Sequence, residues 1–189
     1  MTVRAWKSAT AVSERIVYSK VLEKIQTLKP IVMNTDMNEL RFNAEIFAPK
    51  KKVWDTMLNL DTYKEWTNAA WPGSTFEGQW KKGSDIRFVG ADSSGTLATI
   101  IDLEPYQRVV AKHIAILLKG GAEDRTSDDA KRWVGTTERY DFDESNGATT
   151  LNVTIKITPE WEQMMKEGWP LALNKLKEIT EGQTTLATK

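Results

Sequence analysis

The 189-residue chain contains no cysteine and a single histidine. The first absence excludes disulfides, zinc–thiolate sites, iron–sulfur clusters and thiol nucleophiles. The second confines imidazole chemistry to His113. An excess of charge is also missing, with 26 Lys+Arg against 26 Asp+Glu. Binding to nucleic acid or to an anionic membrane draws on excess positive charge, so neither partner is expected. The one basic run, Lys50-Lys51-Lys52, reads as a solvated helix turn. No stretch approaches the ~20 apolar residues that span a bilayer. Nor does an apolar core of signal-peptide length follow Met1-Thr2-Val3-Arg4-Ala5-Trp6. A cytoplasmic protein is therefore expected. Serine-nucleophile elbows, phosphate-binding glycine loops and dinucleotide fingerprints do not occur. The acidic residues form no convincing metal-ligand cluster, and we expect neither metal nor cofactor.

What the chain has in quantity is tryptophan: eight, against five phenylalanines. The indole combines a large apolar surface with an N–H that needs a partner, so it favours core edges and pocket walls.

Apolar residues at helical spacing, Ile16 through Leu28, predict a helix over residues 12–30, capped by Ser13 and stopped by Pro30. We read 1–38 as an N-terminal extension, docked on the main domain or forming an interface to a second copy. From Glu39 the period changes to two: Leu40, Phe42, Ala44 and Ile46 alternate with Arg41, Asn43 and Glu45, a strand with one buried face. Pro49 opens a helix whose inner face is Val53, Trp54, Met57 and Leu58. A second short helix follows, with Asp61 as cap and Tyr63 and Trp66 inward. Beyond the turn Trp71-Pro72-Gly73-Ser74, strands are predicted at about 75–80, 84–90, 95–104, 108–118, 133–143 and 148–157. Short links without intervening helices make this an antiparallel meander. Lys119 to Arg132 reads as a mobile polar loop, in the place of a lid. Thr158 and Pro159 open one long helix, in which Trp161, Met164, Met165, Gly168, Trp169, Ala172, Leu173, Leu176 and Ile179 form an apolar stripe around Pro170. Residues from 183 form a tail.

Particular segments in this order resemble the heat-shock-protein ATPase activator homologue family of the SRPBCC (START-like) superfamily. They are Phe47-Ala48-Pro49, Val53-Trp54-Asp55, Tyr63-Lys64-Glu65-Trp66, Pro72-Gly73-Ser74, Gly78-Gln79-Trp80 and Gly83-Ser84-Asp85-Ile86-Arg87-Phe88. Glu104-Pro105, Arg108-Val109-Val110, Thr150-Leu151 and Gly168-Trp169-Pro170-Leu171-Ala172-Leu173 continue the match, which covers about 39–182. The resemblance implies an α+β helix-grip fold, with a curved antiparallel sheet of about seven strands wrapped around the C-terminal helix. It implies a cavity between the two, and leaves function open, because the superfamily hosts ligand binders, co-chaperones and enzymes.

On that fold, Trp66, Trp80, Trp133 and Trp169 converge from four elements, with Phe88, His113 and Tyr140 on strands beside them. These seven are the expected lining of a site for a flat apolar or aromatic molecule. Glu138 shares a strand face with Tyr140 and Phe142; it reads as solvated or paired across strands, the alternative being a cavity position paired with Arg87 or with a ligand. The leading expectation is non-catalytic binding of a small apolar or aromatic ligand. A chaperone partner and ATPase activation is the first alternative. A cyclase- or hydratase-type enzyme using His113 as acid or base is the second.

Overall fold

Alternation of apolar and polar residues over Asn38–Ile46 gives strand β1, with Leu40 and Ile46 buried and Arg41, Asn43 and Glu45 exposed. The structure, a computed structural model, describes residues 37–182. The helix expected over 12–30 and the tail from 183 lie outside the described residues. Two short helices follow β1, α1 (Lys50–Leu58) and α2 (Leu60–Asn68). Asn59 both ends α1 and caps α2: it is extended, and its Oδ1 accepts the Asp61 N–H at 3.0 Å. The expected cap, Asp61, instead occupies the first turn, where its charge favours the positive end of the helix dipole.

The remaining elements are β2 (Thr75–Gly78), β3 (Asp85–Val89), β4 (Gly95–Glu104), β5 (Arg108–Leu117), β6 (Glu123–Asp124), α3 (Asp128–Trp133), β7 (Thr137–Ser145), β8 (Ala148–Ile157) and α4 (Pro159–Glu181). All strand pairs are antiparallel, in the order β1-β8-β7-β5-β4-β3-β2, with β6 paired to β5. The curved sheet of eight strands holds α4 against its inner face. The tight link between β7 and β8 is Asn146-Gly147, both at positive φ, the conformation that matches the twist of a two-residue hairpin.

Two expectations are corrected between β5 and β7. Trp133 ends helix α3, and the strand predicted from 133 begins only at Thr137. The segment 119–132 is not a featureless loop. Asp124 Oδ1 accepts the N–H groups of Thr126 and Ser127 at 3.0 Å, and Ser127 Oγ caps α3 by accepting the Ala130 N–H at 3.1 Å. Ala130, fully buried, is the apolar anchor that the polar composition conceals.

Register irregularities in β4 and β5 decide which side chains face α4. Ala98 pairs with His113 and Leu97 with Ala115, so Ile114 is the extra residue of a bulge. Val109 and Ala111 belong to the main core and His113 shares their face, whereas Ala115 and Leu117 join Leu97 and Val89 in a separate small cluster. On α4, Met165, Gly168, Trp169, Ala172, Leu173 and Leu176 are buried as expected. Trp161 and Met164, expected inward, are 38% and 39% exposed. They precede the point at which the stripe enters the core, and Trp161 covers Trp133 edge-on at 5.3 Å.

Candidate functional site

The face of α2 that carries Tyr63 and Trp66, the inner face of the sheet and the first half of α4 do not meet fully. They leave a half-open hollow of about 240 Å³. Its walls are mainly rings: Tyr63 and Trp66 from α2, Trp71 from the following turn, Phe88 from β3, Trp133 from α3, Tyr140 from β7 and Trp169 from α4. The rings meet obliquely, as their quadrupoles prefer, with Tyr63–Trp66 at 5.0 Å, Trp71–Trp169 at 5.7 Å and Tyr140–Trp169 at 5.9 Å. Trp71 reaches α4 only because position 168 is glycine. A Cβ there would lie 2.6 Å from Trp71 Cζ2, so the indole rests on bare helix backbone. A larger depression, of about 790 Å³, lies on the sheet around Arg41, Asn43, Arg139 and Asp141. Arg41 pairs there with Glu39 and Arg139 with Asp141, so it is a wet, charge-balanced surface.

One carboxylate enters the ring-walled hollow, that of Glu138. Its oxygens have separate neighbours: His113 Nε2 lies 3.6 Å from Oε1, and the Tyr140 hydroxyl donates to Oε2. Burial raises the carboxyl pKa, but the interaction with His113 and the hydrogen bond from the Tyr140 hydroxyl outweigh it, holding Glu138 below its ordinary value. Burial first, then the Glu138 charge, pushes the Tyr63 and Tyr140 phenols well above their ordinary range, so both remain neutral donors. The cations nearby are engaged elsewhere. Arg87 donates to Gly121 O and pairs with Glu77 and Glu123, and Arg132 pairs with Asp129 and Glu160.

Five of the seven residues expected at the site line the hollow: Trp66, Phe88, Trp133, Tyr140 and Trp169. Two stand behind its walls. Trp80 packs on Phe88 at 5.8 Å and Phe76 at 5.4 Å, and His113 lies edge-on to Trp133 at 5.2 Å. His113 shares its strand face with Val109 and Ala111, and its neighbours are Phe88, Trp133 and, at 3.6 Å, Glu138. Glu138 itself departs from its solvated reading: its partner is across the strand pair, on β5, but its carboxylate borders the hollow, and Arg87 is not its partner. Tyr63, Trp71 and Glu138 are among the lining residues that sequence reasoning missed. Alternation placed Glu138 with Tyr140, and only the direction of that face was missing.

Polar atoms without partners concentrate at the same place. Among the described residues, the buried side-chain nitrogens lacking a hydrogen bond are Trp80 Nε1, Trp133 Nε1, Trp169 Nε1 and both nitrogens of His113; Thr158 Oγ1 is the buried oxygen. Trp66 differs, donating to Met57 O at 3.1 Å. Among the described residues no group of three or more His, Asp or Glu side chains has the spacing to hold a metal ion. No helix among them is long and apolar enough to cross a membrane.

A curved antiparallel sheet closed over one long C-terminal helix, with two short helices after the first strand, defines the helix-grip class. Within it, a profile of the Activator of Hsp90 ATPase homolog 1-like proteins matches residues 47–181, and the chain belongs to that family. Similar solved structures include a protein from Chromobacterium violaceum (TM-score 0.58, 16% identity, 76% of this chain and 97% of that one). A protein from Staphylococcus epidermidis gives TM-score 0.60 at 16% identity, over 84% and 99% of the two chains. The Aha1 dimer from Colwellia psychrerythraea gives TM-score 0.59 at 19% identity, over 77% and 97%. At these identities the likeness is one of fold. No curated protein is significantly similar to the chain in sequence.

Proposed function

We propose that this domain binds one small apolar or aromatic molecule in the hollow between α2, the sheet and α4, without transforming it. The observation that carries the reading is the concentration of unpartnered buried indole nitrogens on Trp80, Trp133 and Trp169, in or directly behind the walls of one hollow. Native proteins leave few such groups, because each costs ~1–3 kcal/mol. Their clustering beside a half-open, ring-lined space suits a site more than a packed core. At about 240 Å³ the hollow falls below the ~300–1,000 Å³ of drug-sized sites, so the ligand is compact.

Saturation-transfer NMR against neutral aromatic alcohols, phenethyl alcohol among them, tests the reading. Saturable binding is expected, and Thr96→Phe, which places a ring at the lining position of Thr96, should abolish it. No saturable binding, or binding that Thr96→Phe leaves intact, would overturn the reading.

Family membership favours a second reading, an interaction with a chaperone, and the dimeric Aha1 relative from Colwellia psychrerythraea raises self-association. The partly exposed Trp161 and Met164 of α4 would serve such a contact. The contiguous His113, Glu138 and Tyr140 are the groups that a cyclase- or hydratase-type activity would use.

A further inference from the structure

The lining of the hollow carries a charge sign. Glu138 is its one carboxylate, and no lysine or arginine lines it. Arg87 and Arg132, next in sequence to the lining residues Phe88 and Trp133, are held by Glu77, Glu123, Asp129 and Glu160. Six rings besides Tyr140, those of Tyr63, Trp66, Trp71, Phe88, Trp133 and Trp169, line the same hollow. The faces of such rings attract cations and repel anions. A carboxylate offers about four lone-pair positions, and the structure gives Glu138 two polar neighbours, His113 and Tyr140. The carboxylate is also the part of this group that a ligand can reach: the Glu138 side chain is 15% exposed and that of His113 is 2%. A ligand carboxylate or phosphate would meet this carboxylate with no lysine or arginine in the lining to receive it.

Building on the binding role proposed above, we infer that the ligand is a compact aromatic or apolar amine, bound as its ammonium ion. Its cationic end meets the Glu138 carboxylate, and its body lies among the indoles of Trp66, Trp71, Trp133 and Trp169. The phenols of Tyr63 and Tyr140 remain neutral and add no competing charge.

Three probes of similar shape and different charge decide the matter on the purified full chain at neutral pH: phenethylamine, phenethyl alcohol and phenylacetate. Affinity is expected to fall in that order, the amine binding about tenfold more tightly than the alcohol, or ~1.4 kcal/mol. Glu138→Gln should erase the amine's advantage while leaving alcohol binding in place, which also shows that the variant is folded. If it binds neither, Glu138→Asp keeps the charge on a shorter arm and should reduce the advantage without erasing it. Equal or tighter binding of the alcohol or of phenylacetate overturns the charge assignment and leaves the binding role standing. Retention of the amine's full advantage in Glu138→Gln overturns the role of Glu138. Failure of all three probes to bind overturns the binding role and the inference with it.

Discussion

Glu138 is a carboxylate bordering a hollow lined by indole and phenol rings, and it stays ionised because His113 and the Tyr140 hydroxyl outweigh the cost of burial. That balance has a consequence for stability. The folded carboxyl lies below its ordinary 4.5, so folding favours the ionised form. The resulting stability is fully present above the ordinary pKa and is lost as pH falls through the lowered one. Urea midpoints for wild type and Glu138→Gln, measured from about pH 6 down to about pH 3, isolate this group, since the surface carboxylates are common to both proteins. The gap between the two should narrow in favour of the variant as pH falls. A gap that stays constant would show that Glu138 contributes no pH-dependent stability.

At the scale of elements, α4 and the turn after α2 are joined through Gly168 and Trp71. A methyl group at 168 would stand 2.6 Å from Trp71 Cζ2, and the ring is backed by Trp169 at 5.7 Å. Although alanine has the better helix propensity by about 1 kcal/mol, Gly168→Ala is expected to destabilise the protein by about 1–3 kcal/mol, as overpacked sites do. Chemical denaturation checks this. A gain in stability would mean that Trp71 does not rest on α4. Most elements were legible from alternation and from helical spacing, because period-two burial in β1 and β8 and the stripe of α4 follow directly from the sequence pattern. Helix α3 was not. Six residues, mostly charged, give no periodicity, and the signals present were the Ser127 cap, Asp128 and Asp129 in the first turn and Lys131 and Arg132 in the last. The site was half legible for a related reason. Large rings announced themselves, but which face of β7 turned toward the hollow, and with it Glu138, is not revealed by alternation alone.

For the whole molecule, helix-grip architecture and family membership narrow the possibilities without choosing a ligand, since one fold serves many chemistries. What distinguishes this chain is the content of its hollow: tryptophan from four separate segments, one carboxylate, and no basic residue among those that line it. The claim that these tryptophans form a ligand site is tested most directly by their own indole N–H signals. Eight such signals are expected from the sequence in a ¹H–¹⁵N spectrum, and phenethylamine is the probe to titrate against them. Those of Trp66, Trp71, Trp133 and Trp169 should move together along one saturating curve. The signal of Trp54, which packs on Tyr106 at 5.8 Å and Phe142 at 5.2 Å away from the lining, should stay in place. Stationary signals throughout, or a shift of Trp54 as large as that of Trp169, would contradict the account.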